Sequence, residues 1–274
     1  MFRLLRPKIR KLTNSIVNRI GYSGFLFVLV VSLGLLSSVI TAIIAALILV
    51  EIVSELKLSR SCEVKVVIIA CFAIGLGAVL TPLGEPLATI AISKLKGEPH
   101  HADFFFLLRL LGKWVIPAVL GLGVLAIFWN KPEKDKPGLA QDKSETSGDV
   151  IFRAFKVYIF VLALVFLGTG FTPLVERYLV NMPAKLIYWV NIVSAVLDNA
   201  TLTAAEISPD MSLKTIEFLL LGLLVAGGML IPGNIPNIIC ANKLSIKSRE
   251  WAMFGIPLGL ILMIGMFIII TLAE

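Results

Sequence analysis

Residues 80–86 read Leu-Thr-Pro-Leu-Gly-Glu-Pro, and residues 230–236 read Leu-Ile-Pro-Gly-Asn-Ile-Pro. Each lies inside a long apolar segment, at about 64–92 and 215–241. A proline lacks the amide hydrogen of the helix ladder and clashes with the carbonyl four residues back. Two prolines one turn apart, Pro82 with Pro86 and Pro232 with Pro236, cannot sit in a continuous α-helix. Both segments are therefore expected to be broken helices, unwound at the P-x-x-x-P pairs. Unwound backbone at membrane depth survives only where protein or a water-filled cavity satisfies its polar groups. Each break frees carbonyls and a helix end, which together can hold an ion. Thr81, Glu85, Asn234 and Asn237 place polar side chains inside these breaks.

That the surrounding medium is a bilayer follows from composition. The chain has 274 residues, 58% hydrophobic and 16% charged, with a mean hydropathy of +0.94. Soluble domains hold about 45–50% apolar and about 25% charged residues. A soluble core of this size cannot absorb so much apolar surface, which excludes a secreted disulfide scaffold, a nucleic-acid module and an ordinary cytosolic enzyme. The net charge of +7 reads as basic loops on the cytoplasmic side of a membrane protein rather than as nucleic-acid binding. Cys62, Cys71 and Cys240 are odd in number and have no metal-binding spacing, so they read as packing residues. Residues 1–20 alternate basic and apolar side chains and read as an interfacial segment. The apolar run after them, 25–50, is too long for the core of a signal peptide.

Apolar segments fall at about 23–53, 64–92, 104–129, 152–173, 186–207, 215–241 and 251–272. The polar linker 130–150 divides the chain into a first half, 21–129, and a second, 151–274. Three landmarks recur in one order. Ser37-Ser38-Val39-Ile40-Thr41-Ala42 matches Ser194-Ala195-Val196-Leu197-Asp198-Asn199, then come the two P-x-x-x-P breaks, then Ile116-Pro117 and Ile256-Pro257 in Gly-rich helices. Interrupted hydrophobic segments at matching positions of two halves are a mark of secondary transporters. Segment 186–207 is too short for two crossings and carries an Asp-Asn pair in its middle, so it is expected to be a re-entrant hairpin with its tip at about 197–201. Segment 23–53 has its matching tip at 37–42. With both segments re-entrant and the N-terminus cytoplasmic, 18 Lys and Arg lie on inside loops and 5 outside; with both crossing fully the split is 13 to 10. The re-entrant arrangement obeys the positive-inside rule better, and it makes the halves opposite in orientation. The expected fold is thus an all-α polytopic membrane protein of two inverted repeats, each with a re-entrant hairpin and a broken transmembrane helix. The N-terminus and the 130–150 linker are placed in the cytoplasm.

Asp198 is the strongest single residue, because an acid near the bilayer midplane is a functional site by default. Asn199, Thr201 and Thr203 add neutral oxygens, and hard cations take carboxylate, hydroxyl and carbonyl oxygens. Asp198, Asn199 and Thr201 are thus a candidate Na⁺ site, and an unoccupied Asp198 could also carry a proton. The bland alternative is that Asp198 caps the second arm of its hairpin. Glu85 either faces the cavity as a second carboxylate or faces water at the membrane surface. Glu51 and Glu206 lie toward hairpin ends and are expected at the interface. Glu98, His100, His101 and Asp103 could bind a metal, but they crowd one short loop that reads better as solvated. No nucleotide-binding loop or nucleophile–base pair stands out, so neither enzyme nor organic cofactor is expected.

The Asp198-Asn199-Ala200-Thr201 tip, followed by Gly227-Gly228 and the run 229–237, resembles the ion transporter superfamily. That group includes D-type sodium/proton antiporters, dicarboxylate/sodium symporters and arsenite permeases. With 37–52 and 80–99 included, the chain looks closest to an uncharacterised prokaryotic permease family of that group. The resemblance implies inverted repeats whose hairpin tips and helix breaks form the substrate site. It places Ser37, Ser38 and Thr41 with Thr81, Gly84 and Glu85 in one half of that site. Asp198, Asn199 and Thr201, in the tip that also carries Ser194, lie with Gly233, Asn234 and Asn237 in the other. It also implies a homodimer in the cell membrane. The first tip departs from the carboxylate carriers in lacking their Asn-Thr pair. The function expected is cation (Na⁺)/proton antiport. The rivals are a Na⁺-coupled anion or carboxylate carrier and a non-transporting membrane subunit, the latter favoured by a chain that begins almost at the first hairpin. The partners expected are a small ion or anion and the lipid bilayer, not nucleic acid.

Overall fold

The computed structural model describes residues 2–56, 58–129 and 182–273, with isolated positions between 155 and 173; for residues 2–15 and 18 it describes backbone alone. The linker 130–150 and most of segment 152–173 lie outside the described residues. Among the described residues every regular element is helical. The first half holds α1 (Phe2–Ile40), α2 (Ala42–Glu55), α3 (Arg60–Ala78), α4 (Pro86–Lys94) and α5 (Phe106–Ile127). The second holds α6 (Ala184–Val190), continued by a 3-10 turn at Asn191–Ala195, then α7 (Asn199–Glu206) and α8 (Leu213–Gly227). A second 3-10 turn, Ile231–Gly233, precedes α9 (Ile235–Lys243) and α10 (Ser248–Leu272).

Among the described residues four stretches are long and apolar enough to cross a bilayer: Arg19–Ile40, Arg60–Ala78, Phe106–Ile127 and Ser248–Leu272. The shortest, 19 residues, is about 29 Å long at 1.5 Å per residue, close to the hydrocarbon thickness. The protein is a helical membrane protein. α1 is two helices joined at Gly21, whose φ of 72° and ψ of 172° are not helical. Glycine adopts such a conformation without a Cβ clash, so the basic segment 1–20 meets the apolar run at a defined bend.

Burial follows side-chain pattern. From Val66 to Leu80 every residue of α3 and its end is buried, as is Ile216 to Gly227 of α8. Helices apolar on every face belong inside. α5 instead turns Ile116, Leu120, Val124 and Phe128 outward at a spacing of four, and α10 turns Ile261, Ile264, Ile268 and Leu272 outward. Exposed apolar stripes of that period face lipid.

α1, α3 and α5 pack together, α6 and α10 each pack on α8, and α3 meets α8 between the halves. The short helices cross over: α2 lies on α9 and α4 on α7. Cys240 of α9 reaches the Ala46 carbonyl of α2 (3.8 Å), and Lys94 of α4 donates to the carbonyls of Ala204 and Ile207 at the end of α7. This exchange brings the interrupted parts of both halves to one place.

Candidate functional site

In the first half, α3 ends at Ala78 and α4 begins at Pro86, with residues 79–85 between them outside regular helix. Pro86 opens α4, where a missing amide hydrogen costs no ladder bond. The break is locked to the turn between α1 and α2. Thr41 occupies that turn with φ 77° and caps α2 by accepting from the Ile44 amide. The Ala42 amide donates to the Gly84 carbonyl (2.8 Å). Thr81 Oγ1 donates to the Ser38 carbonyl (2.5 Å), and Ser37 Oγ to the carbonyls of Gly34 (2.6 Å) and Ile74 (3.0 Å). Gly84 is required by closeness: a Cβ there would lie 1.9 Å from the Ala78 carbonyl oxygen.

The second half repeats the construction with different chemistry. α8 ends at Gly227 and α9 begins at Ile235, with Pro236 in its first turn. The turn between the 3-10 segment and α7 spans 196–198, slightly before the expected 197–201. Asp198 caps α7: its Oδ2 accepts from the Thr201 amide (3.0 Å) and from Thr201 Oγ1 (3.1 Å). Asn237 Nδ2 donates to the carbonyls of Gly227 (2.9 Å) and Leu230 (2.8 Å), tying the break's two sides together. A Cβ on Gly233 would lie 2.5 Å from the Ser194 carbonyl oxygen, so this tip and break also touch.

The two joints face each other across a cavity of about 410 Å³. Thr41 and Ala42 line it from the first tip, Gly84 and Glu85 from the first break, Asp198 and Asn199 from the second tip, and Asn234 from the second break. α2, α4, α7 and α9 all start here, with Thr41, Glu85, Asp198 and Asn234 as their N-cap residues. Each helix N-terminus carries the equivalent of about half a positive charge, so two carboxylates sit in the field of four such ends. Glu85 is buried, within electrostatic range of Asp198 and set against the Asn199 side chain. The approach to Asn199 is not closed into a hydrogen bond: Glu85 Oε1 and Asn199 Nδ2 are both buried and, among the described residues, without partners. Two carboxylates in one cavity repel each other, and a bound cation relieves that repulsion.

The residues expected at the site therefore divide. Thr41, Gly84, Glu85, Asp198, Asn199 and Asn234 line the cavity. Ser37, Ser38, Thr81 and Asn237 stand behind it, donating to backbone carbonyls that hold the tips and breaks. Thr201 is occupied with Asp198, while Gly233 and Ser194 form the contact between the second tip and break. Of the alternatives open for Glu85 and Asp198, Glu85 faces the cavity, and Asp198 both caps its helix and lines the cavity. Thr89 was not expected; it lies one turn after Glu85 on α4, lines the cavity and donates to the Pro82 carbonyl (2.6 Å). That i+4 spacing was its available signal. Glu206, expected at the interface, is 1% exposed, because Lys94 and α4 cover the end of α7. In the 98–103 loop, His100 Nε2 meets the Pro209 carbonyl (2.9 Å). The Arg109 guanidinium hydrogen-bonds Asp103 and holds its carboxyl below the usual range. Among the described residues no cluster of three metal-ligating side chains occurs.

Fold and cavity define a helical membrane protein whose polar site is assembled at the interrupted ends of four helices. The chain belongs to a family described as "Protein of unknown function (DUF1646)", whose model matches residues 1–273. Among the curated proteins none matches the chain.

Proposed function

We propose that the protein is a secondary active transporter of the cell membrane that exchanges a small cation, Na⁺ first, for protons at the cavity between the two breaks. The observation that carries this reading is the pairing of Glu85 and Asp198, one carboxylate from each half, in one cavity with Asn199, Asn234 and Thr41. A dehydrated cation needs such oxygens. Protons compete for the same carboxylates, and that competition is the coupling antiport requires. In this reading the two helix pairs, α1–α2 and α6–α7, are re-entrant hairpins of two inverted repeats. The recurring order of tip, break and crossed-over short helix supports it, as does the likeness to the ion transporter superfamily. Cysteines placed at Ser59 and Ser144 are then expected to label from the cytoplasmic face and one at Ser212 from the opposite face. Labelling of Ser59 and Ser144 from opposite faces would refute the inverted repeat.

A second reading, Na⁺-coupled anion transport, is favoured by the four helix N-termini, whose field attracts negative charge. Purified protein in proteoliposomes, given a pH jump with Na⁺, Li⁺, K⁺ and small carboxylates in turn, separates these. Cation-dependent proton release with apparent affinity weakening as pH falls supports antiport. Carboxylate uptake requiring Na⁺ replaces it with the anion carrier. Absence of any flux moves the non-transporting subunit ahead.

A further inference from the structure

Within 191–206, where the chain is otherwise mostly apolar, five polar side chains are almost wholly enclosed. Asn191, Ser194 and Thr203 are 0% exposed, Glu206 1% and Asn199 3%. Their spacing is ordered. Asn199, Thr203 and Glu206 fall at i, i+4 and i+7 on one face of α7. Asn191 and Ser194, three apart, fall on the preceding 3-10 arm. The Glu206 carboxylate is set against the Asn191 side chain, and at the cavity end Ser194 Oγ and Asn199 Nδ2 converge on Gly227 of α8, each 3.6 Å from where a Cβ would stand. Four atoms along this line, Glu206 Oε2, Asn191 Oδ1, Ser194 Oγ and Asn199 Nδ2, are buried without partners among the described residues. Glu85 Oε1, across the cavity, is a fifth. Buried polar atoms are nearly always paired, and five unpaired along one path is a concentration that helix capping does not explain.

We propose that this polar file, from Glu206 through Asn191 and Ser194 to Asn199, conducts protons between the membrane face at which α7 ends and the cavity, with Glu206 as the relay carboxylate; the proposal rests on reading the cavity as a proton-coupled site. α7 spans seven residue steps from Asn199 to Glu206, about 10 Å of rise, which hydrogen-bonded waters held on the unpartnered atoms bridge. Glu206 takes a proton from water at the 208–212 loop, where Pro209, Asp210 and Ser212 are exposed, and passes it to the first water of the file. At the far end a proton is delivered to Glu85 or Asp198, so one proton enters for each that leaves and no other reactant is needed.

The charged and titratable groups on the neighbouring elements have other engagements. Lys94 of α4 donates to the Ala204 and Ile207 carbonyls. Glu217 of α8 pairs with Lys113 (3.0 Å), and Tyr188 of α6 donates to the Met263 carbonyl (2.9 Å). Lys185 of α6 and Lys214 of α8 are exposed.

The test compares wild type, Glu206→Gln and Glu206→Asp in proteoliposomes by two flux assays. Radiosodium counterflow at equal pH needs the cation site but no net proton movement. Uptake driven by a pH gradient needs both. Glu206→Gln is expected to keep counterflow within about a factor of two while gradient-driven uptake falls about tenfold or more, with partial recovery in Glu206→Asp. Equal loss in both assays would make Glu206 structural, and undiminished gradient-driven uptake would take it out of the path. Infrared difference spectra of the same proteins, with pH stepped in H₂O and D₂O, decide without transport. A titrating, deuterium-exchangeable carboxyl band absent from Glu206→Gln supports the relay, and its absence from wild type overturns it. Should wild type carry no flux at all, the antiport reading fails while the spectra still judge the file.

Discussion

At the first tip Ser37 donates to two backbone carbonyls, Ser38 to the Leu35 carbonyl and Thr81 to the Ser38 carbonyl. At the second tip Ser194 Oγ and Asn199 Nδ2 are buried without partners among the described residues, and the cap is a carboxylate, Asp198. The frames match: a turn, a helix break, a close-packed glycine and two helix N-termini. Their side chains differ in what is left to do. Hydroxyls closed on backbone hold geometry, whereas open amides, hydroxyls and carboxylates can still take a ligand or a proton. The first tip is therefore closed on backbone and the second tip keeps open polar groups, with Glu85 the unpartnered group that the first half contributes to the shared cavity.

Substitutions can break this contrast. The largest effect is expected from Gly84→Ala, because a Cβ 1.9 Å from the Ala78 carbonyl oxygen forces backbone apart at the first joint. Loss of monodisperse protein in detergent size-exclusion chromatography is the expected result, and normal behaviour would show that the joint is loose. Next is Asp198→Asn, which removes charge and titration while the Asn side-chain oxygen can still cap α7. Apparent cation affinity should fall about a hundredfold, equivalent to about 2.7 kcal/mol of lost cation binding, and exchange with it, with little change in thermal stability. Wild-type exchange by this variant would remove Asp198 from the mechanism.

Glu85→Gln is expected to act less strongly, by about tenfold, since one carboxylate remains and its like-charged neighbour is gone. Its sharper signature is in pH dependence. With a single titrating group, the apparent cation affinity measured across a pH series should respond to protons less steeply than in wild type. An unchanged slope would mean that the two carboxylates do not titrate together. The smallest effect belongs to Ser37→Ala. Losing its bonds to the Gly34 and Ile74 carbonyls should cost about 1–2 kcal/mol of stability, seen as a lower Tm, with cation affinity unchanged. An altered affinity there would make the first tip part of the site's chemistry and erase the contrast.

Prolines and hydropathy act locally, and what they dictate could be read from the chain directly. A proline pair one turn apart cannot stay inside one α-helix: Pro82 and Pro232 fall in the interruptions while Pro86 and Pro236 sit in the first turn of the next helix, so the breaks at 79–85 and 228–234 were legible. The bilayer was legible from apolar runs, and Asp198 from the cost of an acid among them. The turn at Thr41 was less so, because a threonine at φ 77° has no local signature of the kind glycine or proline supplies. Nothing local separates Ser37 or Asn237, which hold backbone, from Asn199, which lines the cavity: all are polar residues at a tip or break, and partner geometry alone tells them apart. Tertiary packing decided three further matters: that α2 lies on α9 and α4 on α7, that Glu85 thereby meets Asp198, and that Glu206 is enclosed. Each depends on a distance between residues more than a hundred positions apart or on what covers a helix end, and a one-dimensional pattern carries neither.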